Sequence, residues 1–400
     1  MRILHVNGSA RLTGGVETYL ADLVSAQSCR GDSVGLLASD ESTDFSVNAF
    51  QSVSADEVTV RDFMTRFQAD VVHIHDSCLP VAIEEDLRRD HHPTVDFFHD
   101  FSFACASGEH YFRDGTACNR SHGRACLLNL VFRGCAHRSD LRGPIGRYRE
   151  LNRRLPLLRG TTAVVASRYM RSVAIGNGLA SSRCHVVPYF TQRPPTPPTP
   201  PRDEAVLAFV GRISSGKGLD TLLRSLALVR GEWDRLLVSG DGWALSEARR
   251  LSTTLGLHSK VSFLGWCGRE EIRDILREAQ VAVVPSRWPE PFGIVGIEAM
   301  AQARPVIASR VGGIPEWLDD GETGLVVEAG DEQSLARAID TLLADPDRAS
   351  AMGREGWQRV GRFSPAAHLA GLDTVYEDAL SERAGESQDA PRYPTVSVHG

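Results

Sequence analysis

Two carboxylates, Glu290 and Glu298, stand on either side of a Phe-Gly turn in the run Arg287-Trp-Pro-Glu-Pro-Phe-Gly-Ile-Val-Gly-Ile-Glu298. Upstream, Val281-Ala-Val-Val-Pro285 reads as a short buried strand ended by proline. Downstream, the apolar run from Ile294 reads as a helix. The first N–H groups of a helix lack carbonyl partners and sit at the positive end of its dipole, so strand, glycine turn and helix together make an anion site. The backbone N–H groups of Gly293, Ile294 and Val295 are the candidates for holding a phosphate. One carboxylate in the loop and one further into the helix could then grip hydroxyls on both sides of it. A ligand with a pyrophosphate between two polyhydroxylated rings, a sugar nucleotide, fits that pattern.

A second loop has the complementary charge. Ala205-Val-Leu-Ala-Phe-Val210 reads as a buried strand, followed by Gly211-Arg-Ile-Ser-Ser-Gly-Lys-Gly218 and an apolar helix from Leu219 to Val229. Arg212 and Lys217 are fixed cations on a strand-to-helix loop, suited to neutralising two phosphates. With these loops stand Gly14-Gly-Val-Glu17, His99-Asp100, Ser239-Gly-Asp-Gly242, Phe263-Leu-Gly265 and Gly312-Gly-Ile-Pro-Glu316. In this order, over about residues 1–380, the motifs resemble the retaining glycosyltransferases of GT-B fold often called family 4.

The resemblance implies an α/β fold of two Rossmann-like doubly wound domains facing a central cleft. It implies roles as well. Glu290 would bond the hydroxyls of the donor sugar and Glu298 those of the ribose. His99 would meet the donor sugar near the reacting centre, where Arg212, Lys217 and Glu290 also act. The two cations would stabilise the departing diphosphate, work a divalent metal does in other transferases, so no cofactor is expected for the chemistry. Phe292 and the N–H groups after it complete the donor loop. Gly265 and Trp266 would lie against the base, and Gly15 near the phosphate. Gly14, Glu17, His75 and Asp100 fall on the acceptor side; Asp76 is a further candidate there. Gly240-Asp-Gly242 reads as a tight loop beneath the nucleotide, and Gly312 to Glu316 as a turn that is structural or borders the pocket.

These residues need strands to carry them. The pattern predicts strands at 2–6, 33–37, 71–74, 94–98, 163–166 and 184–187, then at 205–210, 235–239, 261–264, 281–284, 305–308 and 324–326. Residues 1–192 form the acceptor-side domain. The proline-rich stretch 193–203 reads as an extended spacer. Residues 204–362 form the nucleotide-sugar domain, a helix at 365–380 returns to the first domain, and the polar stretch 381–400 is expected to be disordered.

Composition agrees. The chain has 400 residues with 42% apolar and 24% charged side chains, ordinary for globular domains and too long for one core. A net charge of −7 argues against nucleic acid as a partner. No apolar stretch reaches the roughly 20 residues of a membrane span, and the first residues read as a strand, so a cytoplasmic location is expected. One stretch departs from the acidic average. Arg133, Arg138, Arg142, Arg147, Arg149, Arg153, Arg154 and Arg159 oppose only Asp140 and Glu150, with Leu141, Ile145, Tyr148, Leu151, Leu155 and Leu158 among them. This is either a solvated helical face or a surface for an anionic membrane, and Pro144 and Pro156 predict that it is not one uninterrupted helix.

Cys105, Cys118, Cys126 and Cys135 crowd a stretch with little apolar periodicity. Four thiolates fit a tetrahedral structural zinc; unliganded thiols, disulfides and an iron–sulfur cluster are the other readings. The acceptor would be a glycan, a lipid-linked sugar or a small glycoside, and a UDP-sugar the first donor to test. A non-catalytic scaffold binding a sugar or nucleotide for a partner enzyme is the alternative from another class. A pyridoxal phosphorylase on the same fold would need a Schiff-base lysine, and the chain has only Lys217 and Lys260.

Overall fold

The computed structural model describes residues 1–11, 14–38, 47, 49–52, 63, 66–75, 85, 92–112, 116–133, 135, 142–199 and 204–389. Asp76, Arg138, Asp140, Leu141, the end of the spacer at 200–203 and the tail at 390–400 lie outside these residues, as does Cys78.

Continuous apolar runs such as Val71–Ile74 and Val281–Val284 are buried along their whole length, as strands covered on both faces must be. The first domain has a parallel sheet of β1 (Arg2–Asn7), β2 (Ser33–Ala38), β3 (Ala49–Ser52), β4 (Val71–Ile74), β5 (Thr94–Phe98), β6 (Thr162–Val165) and β7 (Cys184–Val186), in the order β3-β2-β1-β4-β5-β6-β7. The second has β8 (Val206–Val210), β9 (Arg235–Ser239), β10 (Val261–Gly265), β11 (Val281–Val284), β12 (Val306–Ser309) and β13 (Gly324–Val327), in the order β10-β9-β8-β11-β12-β13. The strand order reverses between β1 and β4 and again between β8 and β11. Open parallel sheets bind their ligands outside the carboxyl ends of strands at such switch points. The sequence pattern missed only β3, an edge strand of Ala-Phe-Gln-Ser with no apolar run to mark it.

Helices α1 (Gly15–Arg30), α2 (Arg124–Phe132), α3 (Arg142–Leu158) and α4 (Arg168–Gly176) belong to the first domain. Helices α5 (Leu219–Leu226), α6 (Leu245–Thr254), α7 (Arg269–Glu278), α8 (Ile294–Ala301), α9 (Glu332–Ala344) and α10 (Pro346–Arg359) belong to the second. Contrary to the proline argument, α3 is one helix. Pro144 lies in its first turn, where no intrahelical N–H is needed, and Pro156 in its last, where little helix remains to be broken.

Helix α11 (Pro365–Asp389) crosses back to the first domain and runs nine residues beyond the predicted end, into the stretch read as disordered. Helix formers such as Glu, Arg and Ala there extend a helix already anchored by packing. Leu372, Val375 and Tyr376 bury against the first sheet, and Arg30 forms an ion pair with Asp373. The spacer is also held to the second domain. Arg193 stacks on Trp357 at 4.1 Å, Trp357 Nε1 donates to the Pro194 carbonyl, and the buried Arg304 donates to that of Thr199.

Candidate active site

The loops after β8 and β11 interlock at the second switch point. Gly218, at φ +73°, lies so close that a Cβ would fall 1.9 Å from the Pro285 carbonyl oxygen. The N–H groups of Arg287 and Trp288 both donate to the Gly216 carbonyl, and the Arg287 guanidinium bonds the Ser215 carbonyl and Asp220. This lacing sets Lys217 Nζ 2.8 and 2.9 Å from the two oxygens of Glu290 and 4.8 Å from the centre of the Trp288 ring. Ser286 Oγ donates to the same carboxylate. Glu290 is buried and Lys217 half-buried, while Arg212 on the same loop is exposed. The buried carboxylate is thus held by one ammonium and one hydroxyl, groups that a ligand's own hydroxyls can replace.

A second clamp fixes the backbone of Glu290. Gly312, at φ +53°, packs where a Cβ would lie 2.0 Å from the Glu290 carbonyl oxygen, and the Gly313 N–H donates to that oxygen at 2.8 Å. The glycine pair is therefore a structural brace for the Glu290 loop. Trp317, fully buried, donates from Nε1 to the Phe292 carbonyl and fills the space beside Gly296. Phe292 itself is not placed to touch a ligand. Its ring is 1% exposed and packs against Tyr189 and Phe363, because the turn that frees the next N–H groups directs this apolar side chain into the core. Ile294 and Val295 open α8 with N–H groups that have no carbonyl one turn back, after Gly293 in the left-handed region.

Glu298, one turn into α8, is set deeply enough that burial raises its carboxyl to about 7, partly offset by the charges of Arg269 and Arg273. Arg269, at the start of α7, crosses to the first domain, where it pairs with Asp22 and donates to the Thr18 carbonyl. Gly265, at φ +76°, ends β10 and its carbonyl takes the Gly240 N–H, and Trp266 stands 56% exposed beside it. The loop Gly240-Asp-Gly242 packs backbone to backbone under the Gly211 loop, with the Ile213 N–H bonded to the Asp241 carbonyl.

In the first domain, a Cβ on Gly14 would meet the Glu17 carboxylate, which folds back over it, whereas Gly15 faces open space. His75 and His99 differ from the expectation that they line the cleft. Both are buried links in a chain of hydrogen bonds. His5 Nε2 lies 2.7 Å from Gln27 Oε1, His5 Nδ1 2.8 Å from His75 Nε2, His75 Nδ1 3.0 Å from His99 Nε2, and His99 Nδ1 2.7 Å from the Tyr189 hydroxyl. The Gln27 carbonyl oxygen can only accept, so the direction follows: each imidazole donates from Nε2 and accepts at Nδ1, and Tyr189 donates into His99. Burial keeps the rings neutral, lowering His5 to about 4 and His99 to about 3. Both nitrogens of His99 are thus engaged, because the β-strand ends carrying His5, His75 and His99 are adjacent in the sheet. Asp100, exposed beside it, accepts the Ser102 N–H. The chain after it still reaches the donor loops, since the Phe101 ring packs edge-on to Trp288 at 6.3 Å.

Sequence reasoning gave no role to Ser286, Trp288 or Arg269, and read Glu316 only as the end of a turn. The Glu316 carboxylate accepts the N–H groups of Arg168 and Tyr169 at 3.0 and 3.1 Å, capping α4 from the other domain. Trp288 lies inside the run already singled out and Ser286 directly precedes it, so both could have been read with it. Arg269 and Glu316 act across the interface, which no local pattern announces. The leucines of the basic stretch also find a use: Leu151, Leu155 and Leu158 pack inward, leaving Arg147, Arg149 and Arg153 exposed.

Residues 195–359 match the family model described as glycosyl transferases group 1. The second domain belongs to that family. The chain is 37% identical over 205 residues to D-inositol 3-phosphate glycosyltransferase of Corynebacterium kroppenstedtii, covering 47% of this chain and 45% of that protein. A D-inositol 3-phosphate glycosyltransferase 2 of Catenulispora acidiphila is 37% identical over 193 residues, 46% of this chain and 45% of its own. The matched stretch is thus about half the length of these curated relatives. Two solved structures extend the likeness over the whole fold. Sucrose-phosphate synthase of Thermosynechococcus elongatus superposes with a TM-score of 0.74 at 21% identity, covering 95% of this chain and 99% of that one. Anabaena HepE, in complex with UDP and glucose, gives 0.69 at 19% identity, covering 96% and 100%. The two-domain architecture around this group 1 domain is GT-B.

Proposed function

We propose that this protein is a retaining glycosyltransferase that moves a sugar from a nucleoside diphosphate, first of all UDP, to a hydroxyl of a glycan, a lipid-linked sugar or a small glycoside. The observation that carries the reading is the Lys217–Glu290–Ser286 constellation at the second switch point, with Arg212 beside it on the loop. Donor hydroxyls would take over the Glu290 carboxylate, and Lys217 and Arg212 would face the diphosphate as its negative charge grows, lowering the barrier electrostatically. Glu298 would accept from the ribose hydroxyls. The bond from the anomeric carbon to the phosphate oxygen breaks, the acceptor oxygen bonds the same face, and its proton passes to the departing phosphate. No protein nucleophile is required. The UDP bound by the Anabaena protein is the reason to place UDP first among donors.

The test is a thermal-shift screen of UDP, GDP, ADP and their sugars on the wild type, Glu298→Ala and Arg212→Ala, since a ligand of the folded state raises the melting point with RT ln(1 + [L]/Kd). Stabilisation by one diphosphate series, lost in both variants, is the expected result. No stabilisation at millimolar concentration refutes the donor site and favours the scaffold. An anomeric NMR assignment of the product decides retention.

Contact with an anionic membrane from the cytoplasmic side belongs to the same proposal. Leu127, Leu128, Phe132 and Ile145 are exposed, Phe132 to 79%, among the exposed Arg124, Arg133, Arg147, Arg149 and Arg153. Apolar side chains surrounded by cations suit a layer with an anionic surface and a hydrocarbon interior. Co-sedimentation with phosphatidylglycerol vesicles, absent with phosphatidylcholine and weakened by Phe132→Ser, is expected; equal sedimentation with both lipids refutes the contact.

A further inference from the structure

Lys217 has two partners of different kinds. Its ammonium lies 2.8 and 2.9 Å from the carboxylate oxygens of Glu290, and 4.8 Å from the centre of the Trp288 ring. The transfer described above takes the first partner away, because that carboxylate is the group the donor hydroxyls would claim. A lysine carries a point charge on a flexible four-carbon stem, and a quarter of the Lys217 side chain is exposed. Released from Glu290, the ammonium needs another hold to stay beside the diphosphate. Arg287 cannot stand in for it, since its guanidinium is committed to the Ser215 carbonyl and Asp220.

The indole is built in as a wall that does not depend on the lysine. The N–H groups of Arg287 and Trp288 both donate to the carbonyl of Gly216, the residue before Lys217. Gly216 also leaves room for the ring, since a Cβ there would come within 3.1 Å of the Trp288 Cβ. From the first domain, Phe101 meets the indole edge-on at 6.3 Å and 85°. Phe101 is fully buried, stacked on His110 at 5.2 Å and edge-on to Tyr169 at 6.1 Å. The ring is therefore held from both domains.

The residue type points to the ring face and not to the indole N–H. Trp288 Nε1 is buried with no hydrogen-bond partner, a cost to stability that phenylalanine would avoid. Of the aromatic side chains, tryptophan attracts a cation over its face most strongly. A neutral ring orients the ammonium without cancelling its charge. A second carboxylate in that place would neutralise the very charge the diphosphate requires.

We propose that Trp288 is a positioning residue for Lys217, its ring face keeping the ammonium at the diphosphate when Glu290 turns to the donor sugar. The proposal rests on the reading of these two loops as a nucleotide-sugar site. Trp288 acts through the lysine and not on a reacting atom. Because Phe101 directly follows Asp100, the acceptor-side segment shares in holding the ring in place.

The chain has only two lysines, so labelling with ¹³C-lysine gives two side-chain signals in an NMR spectrum. Lys260 lies 4.8 Å from the ring centre of its own indole, Trp233, and serves as the internal reference. The Lys217 signal, assigned with Lys217→Arg, is expected to be shifted upfield by the ring in the wild type. It should lose that shift in Trp288→Leu. In Glu290→Gln, which removes the carboxylate charge, it should stay upfield, as it should in the wild type saturated with UDP-glucose. An unshifted Lys217 in the wild type, in Glu290→Gln or in the UDP-glucose complex overturns the proposal. Turnover is the second readout. Release of glucose from UDP-glucose should fall about tenfold in kcat in Trp288→Leu, with KM changed less than about threefold, and recover in Trp288→Phe. Equal losses in both variants, or an effect on KM alone, reduce the ring to packing and also overturn the proposal. If Trp288→Leu fails to fold, the wild-type and Glu290→Gln spectra still decide. A wild type that neither binds nor hydrolyses UDP-glucose counts against the donor reading instead, and the Glu290→Gln spectrum then decides alone whether the ring holds the lysine.

Discussion

Replacing Gly312 by alanine tests whether the donor loop depends on a brace that touches no ligand. Gly312 has φ +53°, and a Cβ there would lie 2.0 Å from the Glu290 carbonyl oxygen and 2.5 Å from its nitrogen. Ordinary contact begins near 3.4 Å, so one backbone or the other must withdraw by more than about 1 Å. The Glu290 carboxylate rides on that backbone, 2.8 Å from Lys217. Displacements of about 1 Å in a catalytic constellation cost roughly a hundredfold in rate. Alanine in the left-handed region itself costs about 1–2 kcal/mol, whatever the surroundings. Gly256→Ala isolates that part, since Gly256 has φ +73° with nothing within 4 Å of an added Cβ. Both variants should therefore melt below the wild type, Gly312→Ala further by about 1–3 kcal/mol of overpacking. Only Gly312→Ala should lose about a hundredfold in kcat/KM for transfer and bind UDP-sugar more weakly than UDP, because the sugar end of the site has moved. Transfer kinetics and calorimetric titration with both ligands read this out. Equal kcat/KM in the two glycine variants would refute the brace.

Other expectations follow from the same geometry. Lys217→Ala leaves Glu290 buried without its cation and removes a charge from the diphosphate; a loss of 10²–10³ in kcat is expected, and turnover within threefold of wild type would remove Lys217 from the mechanism. Glu298 has its carboxyl raised to about 7 from 4.5, so the folded state keeps a proton that the unfolded state gives up between those values, and its contribution to stability falls as pH rises through them. Glu298→Gln should accordingly melt higher than wild type at pH 8, by at most about 3 kcal/mol, with the difference closing towards pH 4.5; a pH-independent difference counts against it. The buried histidines have the opposite sign. His5, His99 and His368 are lowered by burial to about 4, 3 and 4, so the unfolded chain takes up protons below 6.5 that the folded chain refuses, and stability is lost as pH falls. A denaturation midpoint that drops steeply from pH 6.5 to 4.5 is expected, and a flat one contradicts the neutral chain. Glu316→Gln keeps the size but weakens the cap on α4, and should cost about 1 kcal/mol; Glu316→Ala should cost more, and no change in either refutes the cross-domain cap.

The second domain's part of the candidate site was legible because its signals are local. Val281–Val284 and Val206–Val210 are runs that only a doubly covered strand requires, and each is followed within the next few residues by the glycines and charges it positions. Spacing along the chain there equals proximity in space. The first domain gave its strands as readily, yet not the use of its histidines. His5, His75 and His99 lie on β1 or just after β4 and β5, and nothing in the spacing of 5, 75 and 99 says that these strands are neighbours or that the rings will meet. A histidine at a strand end reads as facing the cleft whether it does or not. Phe292 failed for the converse reason: the turn around it was correctly placed, but which side of a tight turn faces the core depends on Trp317 and Phe363, far along the chain.

The same distinction explains what joins the two halves. Glu298 serves one domain by position and is influenced by Arg269, and Arg269 in turn pairs with Asp22 and the Thr18 carbonyl on α1, which begins at the open Gly15. Glu316 follows the glycine brace of Glu290 by three residues and caps α4 of the first domain. The two carboxylates expected to hold the donor are therefore each one step from a polar contact across the interface. A ligand that changes the charge state of Glu298 alters the hold on Arg269, and one that moves the Glu290 loop pulls on the segment that carries Glu316. Coupling of this kind needs a differential contact and not only nearness. It requires that Asp22→Asn, which leaves every donor contact in place, weaken UDP binding more at pH 8, where Glu298 is ionised and competes for Arg269, than at pH 6. Equal effects at the two pH values would leave Arg269 as a simple interdomain tie.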